Sequence, residues 1–307
     1  MSEIVLPEVK LNLYNRKNPV EVTVVENKLA TVESSPNFIR HLSFDISGTE
    51  LAGNIIAGQA IGIQAPGEDA KGKPHKIRLY SVSSPSSGEN ANPNIVSTTV
   101  KRVVEERDDN SIYLGVASNY AASLKVGDKV LMTGPSGKTF VLPENKTDFN
   151  YVFFATGTGI APFRGMVIDL IESGAKGDIA LLFGCPYRTD VLYKSFFEEL
   201  AQKHENFHYI RAISREERRA DGSKMYVQSL IEDIPEVLPI LAKENTLIYV
   251  CGLRGMETGI YQSLLKNGLS DYCILRQELQ EKPIGEWTWE EWKKGVRGAN
   301  RMFEEVY

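Results

Sequence analysis

The chain has 307 residues, 42% hydrophobic and 24% charged, a balance that excludes a disordered or fibrous chain and, at about 150 residues per domain, predicts two domains. Its 35 basic and 40 acidic residues leave a net charge of −5, which argues against a dedicated nucleic-acid binder. Three cysteines (Cys185, Cys251, Cys273) with no disulfide or metal spacing, no apolar run of membrane-spanning length, and an opening Met1–Pro7 that meets acid and proline at once predict a cytoplasmic protein without an integral membrane segment.

Up to about Asp148 the chain is predicted to be β. Short runs rich in Val, Ile and Thr, such as Val20–Val25, Ile95–Val100 and Ser111–Val116, are broken by Gly, Pro, Asn and Asp. That pattern implies an antiparallel barrel or sandwich. Residues 65–74 and 83–94 read as long loops. From Tyr151 apolar runs alternate with amphipathic segments, which implies βαβ units and a parallel sheet. The predicted strands are Tyr151–Ala155, Ile179–Phe183, Phe207–Ile213 and Thr246–Cys251. The predicted helices are Pro162–Ser173, Val191–His204, Val227–Ile234 and Met256–Asn267. The domains are therefore placed at 1–148 and 149–307.

The first of these strands runs into Thr156-Gly-Thr-Gly-Ile-Ala-Pro162 and then a helix. A glycine turn there lets backbone N–H groups approach a diphosphate, and Pro162 suits a first helical turn. A tight strand-to-helix connection would give the same pattern, and Pro162 stands where a third glycine of the dinucleotide fingerprint would fall. The last predicted strand ends in Cys251-Gly252-Leu253, a second small-residue loop on the edge where open α/β sheets bind ligands. Cys251 could equally be a buried core thiol. Where an NAD site places an acid for the ribose, Phe207–Ile213 ends in Ser214 and Arg215, with Lys224 and Tyr226 following. These residues suit a 2′-phosphate and an adenine. The alternative is a solvated loop, since Arg215–Arg219 is mixed in sign and carries Glu216 and Glu217. His204-Glu-Asn-Phe-His208 fits a zinc-helix pattern, but the helix is expected to end near His204, so no metal site is expected.

One ordered series runs through the chain: R-L-Y-S at 78–81, V-K-R at 100–102, G-V-A-S-N at 115–119, G-P-S-G-K at 134–138, T-G-T-G-I-A-P-F-R at 156–164, S-R-E at 214–216, K-M-Y-V-Q at 224–228, C-G-L-R-G-M-E at 251–257 and a closing E-V-Y. It resembles the plant-type (plastidic and cyanobacterial) ferredoxin–NADP+ reductases from about Asn18 to Tyr307. The resemblance implies an FAD-binding antiparallel β-barrel followed by an NADP-binding α/β domain. It implies an enzyme that moves electrons between NADP(H), which exchanges hydride pairs, and ferredoxin or flavodoxin, which take one electron at a time.

It also assigns residues. Arg78 would meet the flavin pyrophosphate, Tyr80 the isoalloxazine, and Leu79, Thr99, Val100, Lys101, Val116, Ala117 and Ser118 the rest of FAD. Thr156 would contact both dinucleotides. Ser214, Arg215, Lys224 and Tyr226 would hold the 2′-phosphate and adenine, and Gly252 and Leu253 would make further NADP contacts. Ser81, Cys251 and Glu305 would surround the reacting atoms, with Glu305 relaying protons. Tyr307 would lie on the flavin where nicotinamide must go. Ferredoxin would dock near Lys71, Lys73, Lys76 and Ile77. Three positions depart from the family: Ala117 replaces a cysteine, Glu105 an aromatic at the adenine end of FAD, and Ser136 an apolar docking residue. A reductase component serving an oxygenase, or a non-enzymatic NADP-binding sensor, would share parts of this pattern.

Overall fold

The computed structural model describes residues 2–307. The chain divides into two compact units. One comprises Val5–Glu144 and Ala161–Ser173; the other comprises residues 2–4, Asn145–Ile160 and Gly174–Tyr307.

The first unit carries β1 (Val20–Leu29), β2 (Ile39–Asp45), β3 (Ala60–Gln64), β4 (Arg78–Ser81), β5 (Ile95–Lys101), a hairpin of β6 (Val104–Glu106) and β7 (Ile112–Leu114), α1 (Val116–Ser123) and β8 (Lys129–Ser136). Six strands form an antiparallel sheet in the order β4-β3-β8-β1-β2-β5. A Val82–Thr98 bridge closes it into a barrel. At that seam the Thr98 hydroxyl donates to the Ser81 carbonyl at 2.7 Å and the Ser83 N–H donates to the Ser97 carbonyl at 2.7 Å. Period-2 alternation sends Val22, Val24, Leu42, Phe44, Ile61, Ile63, Val130 and Met132 inward.

Val116 begins a helix, whereas the β-branched run had put it at the end of a strand. Ser118 and Asn119 win that contest. The Ser118 hydroxyl accepts the Val103 N–H, and the Asn119 amide donates to the Val103 and Gly115 carbonyls at 2.8 and 2.9 Å. Arg164, in the segment 161–173, makes a bidentate pair with Glu89 at 2.7 and 2.8 Å and donates to the Ser83 carbonyl. Both side chains are largely buried, so removing one leaves an uncompensated charge. Arg164→Met should lower unfolding free energy by about 3–5 kcal/mol, measured by urea denaturation. A loss near zero would show the pair to be dispensable.

The second unit carries β9 (Asn150–Thr156), α2 (Ile160–Glu172, whose residues from Ala161 belong to the first unit), β10 (Ile179–Cys185), α3 (Lys194–Lys203), β11 (Phe207–Ile213), the short helices α4 (Leu230–Asp233) and α5 (Val237–Leu241), β12 (Thr246–Gly252), α6 (Met256–Lys266), β13 (Cys273–Leu275), α7 (Gln277–Gln280), α8 (Trp289–Gly295), β14 (Val296–Gly298) and β15 (Met302–Val306). β11-β10-β9-β12-β15 form a parallel sheet. Its even-numbered residues, among them Val152, Phe154, Leu182, Ile248 and Val250, pack with Leu230, Ile231, Ile260, Leu264 and Trp292. Tyr249 on the other face stacks on Phe303, with ring centroids 4.6 Å apart.

Three expectations change here. α3 starts at Lys194 rather than Val191, because Tyr193 takes a left-handed conformation (φ 53°). The helix expected from Val227 begins as a 3-10 turn, Val227–Ser229, and continues only over α4. The two-stranded β13–β14 sheet with α7 and α8 adds elements too short for periodicity to reveal.

Candidate functional site

The strand order reverses between β9 and β12. Chain order runs outward to β10 and β11 on one side and to β12 and β15 on the other, so the carboxyl ends of β9 and β12 form the topological switch point where open α/β sheets bind ligands. Two loops meet there. A Cβ on Gly159 would lie 2.1 Å from the Cys251 carbonyl, and one on Gly252 would lie 2.1 Å from Thr156 Oγ1. Only glycine permits this approach, and Gly157 (φ 54°) and Gly252 (φ 148°) also hold backbone that side chains disfavour. Thr156 Oγ1 accepts the Leu253 N–H at 3.0 Å and faces Met256 Sδ at 3.2 Å, joining the loops. Leu253 is largely exposed. This glycine-walled cradle fits the diphosphate of a dinucleotide.

Beyond β11 the charged run sorts itself. Glu217 pairs with the Arg188 guanidinium at 3.0 Å and accepts the Ile213 N–H at 3.2 Å. Glu216 accepts the Arg188 N–H at 2.8 Å. Arg219 is held by Asp233, bidentately at 2.8 Å, and by Glu232. Arg215 is left with no carboxylate among the described residues. Its guanidinium lies 5.6 Å from the Tyr187 ring centroid and donates to Tyr187 Oη at 3.1 Å. Ser214 is anchored, its N–H donating to the Cys185 carbonyl at 2.9 Å. Lys224 and Tyr226 are exposed on the returning segment, where Lys224 makes an isolated bridge with Arg218. The two acids that weigh against an anion site in the sequence are thus engaged elsewhere. Tyr187, absent from the sequence candidates, orients the guanidinium; an aromatic after β10 was its one visible signal.

β15 adds the remaining candidates of this unit. Cys251 stands in register with Glu305. Burial, reinforced by the Glu305 carboxylate, pushes the Cys251 thiol well above its usual range, so it is a neutral thiol. Tyr307 donates its N–H to the Gly252 carbonyl at 3.0 Å and is 54% exposed.

In the first unit, Arg78 and Leu79 are exposed on β4, an end strand of the six-strand order, while Tyr80 and Ser81 are half-buried. Burial lifts the Tyr80 phenol to about 12. Val100 points into the barrel core and Thr99 is buried, whereas Lys101 is exposed. α1 opens at Gly115 without a side-chain cap. Its first N–H groups therefore lack a capping side chain and are available to an acceptor. Val116 is exposed there, while Ala117 and Ser118 are buried. In the β6–β7 hairpin Glu105 lies opposite Tyr113, and Arg107 sits 5.0 Å over that ring, so the hairpin carries its aromatic on the facing strand. Lys71 and Lys73 lie exposed on a turn built around Asp69, which accepts both their N–H groups; Lys76 is exposed and Ile77 half-buried.

His204 ends α3 and His208 sits within β11, 3.5 Å from Asp178, so the histidine pair does not share a helix.

Residues 153–262 match the oxidoreductase NAD-binding domain family. The chain is 38% identical over 292 residues to the ferredoxin–NADP reductase of Thermosynechococcus vestitus, covering 91% of this chain and 74% of the relative. It is 36% identical to leaf isozyme 1, the chloroplastic ferredoxin–NADP reductase of Oryza sativa subsp. indica, covering 97% and 80%. Its fold is similar to that of a ferredoxin-NADP+ reductase from Plasmodium falciparum, with a TM-score of 0.70 at 24% identity over 99% of this chain and 100% of that one.

Proposed function

The chain belongs to the ferredoxin–NADP reductase family, and from that premise we propose that it is an FAD-dependent oxidoreductase exchanging electrons between NADP(H) and ferredoxin, with flavodoxin as a second acceptor. The observation that carries the NADP assignment is Arg215, left without a carboxylate while Glu216 and Glu217 turn to Arg188. A bound FAD supplies the conversion between two-electron and one-electron exchange.

The chain's own residues bind, orient and move protons. Residues 1–148 form the FAD domain. There Arg78 and the N–H groups at the start of α1 would hold the diphosphate of the flavin cofactor, Tyr80 would support its isoalloxazine, and Ser81 would serve as the hydrogen-bonding hydroxyl near the reacting atoms. Leu79, Thr99, Val100, Lys101, Val116, Ala117 and Ser118 complete the cofactor's surroundings, Val100 through its main chain. Residues 149–307 form the NADP domain. The loops of Thr156 and of Gly252 and Leu253 receive the diphosphate. Ser214, Arg215 and Lys224 grip the 2′-phosphate, and Tyr226 stacks on adenine. Cys251, a neutral thiol, orients the nicotinamide. Glu305 exchanges a proton with solvent, and the Tyr307 ring covers the nicotinamide position until the ligand displaces it. Ferredoxin docks at Lys71, Lys73, Lys76 and Ile77, where charge steering speeds encounter and weakens with salt. The protein works in the cytoplasm.

The purified protein should release stoichiometric FAD on denaturation, and its visible absorbance should bleach far faster with NADPH than with NADH. Equal bleaching by both would remove the 2′-phosphate reading. Glu305→Ala should lower ferredoxin-linked turnover by about a hundredfold, the scale of a positioned proton donor. Unchanged turnover would remove the proton-relay role.

A further inference from the structure

Tyr307 is tied at three points to the two loops of the nucleotide cradle. Its N–H donates to the Gly252 carbonyl at 3.0 Å, and its main-chain oxygen accepts the Arg254 N–H at 3.1 Å. Its phenol oxygen lies 2.6 Å from Thr158 Oγ1, a distance at which the two hydroxyls share a hydrogen bond. The first two bonds hold the root of the side chain to the loop after β12. Of the three, the Thr158 bond alone reaches the glycine loop and fixes the far end of the ring.

A tyrosine held only at its main chain still turns about χ1 and χ2. The hydroxyl bond to Thr158 is the side-chain hydrogen bond that opposes this rotation at the far end of the ring. Thr158 suits that role because its own main chain is clamped: Gly157 on one side takes φ 54°, and Gly159 on the other abuts the Cys251 carbonyl. An incoming nicotinamide must therefore break a bond to a rigid platform before it can occupy the place of the ring.

We propose that Thr158 is a positioning residue that latches Tyr307 in its covering position, so that its hydroxyl sets how readily the nicotinamide site opens. The proposal rests on the reading of Tyr307 as the cover of that site. A ligand that binds only the open form has its affinity reduced by the fraction of molecules that are open. The latch thus weakens NADP+ and hastens its departure without touching the adenosine end.

The test is equilibrium calorimetry on the intact flavoprotein with two probes, NADP+ and 2′,5′-ADP, the second lacking nicotinamide. Breaking a net hydrogen bond of ordinary strength changes an equilibrium about two- to tenfold. Thr158→Val keeps the shape, removes the hydroxyl and should tighten NADP+ by that factor with 2′,5′-ADP unchanged. Tyr307→Phe should match it, the double variant should bind no tighter than either single one, and Thr158→Ser should restore the parental value. Faster amide exchange is not expected at Tyr307, whose main-chain bonds stay in place. If Thr158→Val leaves NADP+ affinity unchanged while Tyr307→Ser raises it, the ring covers the site but this latch is refuted. If neither variant changes it, the covering role falls too. Equal weakening of both probes by Thr158→Val would make Thr158 a loop or diphosphate residue and overturn the latch.

Discussion

Replacing Arg215 with alanine is expected to lower kcat/KM for NADPH by about ten- to a hundredfold, the value of a charge-assisted hydrogen bond to phosphate, while NADH is nearly unaffected. The expectation follows from how charge is distributed around the loop. Five charged residues in a row, Arg215 to Arg219, would ordinarily neutralise one another on a solvated surface. Here Glu216 and Glu217 are drawn to Arg188, 28 and 29 residues away, and Arg219 is drawn to Asp233 and Glu232. Arg215 keeps its full charge, set in place by the Tyr187 ring and hydroxyl. Tyr187→Ala should move NADPH in the same direction by a smaller factor, since it removes the support and leaves the charge. The measurement is steady-state kinetics with both nucleotides. An equal loss for NADPH and NADH would show that Arg215 does not meet the 2′-phosphate.

Tyr307→Ser should bring the second large change: NADP+ binds at least tenfold tighter, NADPH turnover falls because product leaves slowly, and NADH gains turnover. The ring covers the place that nicotinamide needs, so removing it makes every molecule competent, and apparent affinity rises by the inverse of the former open fraction. NADPH is already held by its phosphate and gains mainly residence. NADH lacks that anchor and gains occupancy, so the preference between them narrows. Because serine at 307 keeps the main-chain bonds to Gly252 and Arg254, β15 and Glu305 should stay in register. Unchanged affinity and unchanged discrimination would remove the covering role.

Both effects rest on a fold whose large elements were legible in the sequence. β10 and β11 are continuous apolar or alternating runs, and the glycine loop announces the β9 turn. Their class, an antiparallel barrel followed by a parallel α/β domain, is the one observed. What escaped depends on partners distant in the chain. No local pattern shows that Arg188 will disarm Glu216 and Glu217, or that Tyr187 will support Arg215. Val116 reads as strand by its β-branched side chain, and it is the Ser118 and Asn119 bonds to Val103 that make it the start of α1. β15 carries Glu305 beside Cys251 through pairing with β12, a register that five residues cannot reveal alone. The Thr158–Tyr307 contact joins residues 149 apart, and the T-G-T-G pattern gives its threonine no visible purpose beyond the turn.

The proposed activity is electron exchange between NADP(H) and ferredoxin, in either direction. Its most direct test is cytochrome c reduction by the purified flavoprotein, with and without added ferredoxin, with NADH as the control nucleotide. The rate should depend strongly on ferredoxin, prefer NADPH, and decline as salt screens the docking face. A rate indifferent to ferredoxin would contradict it, leaving the nucleotide site in place and assigning the electrons to a different acceptor.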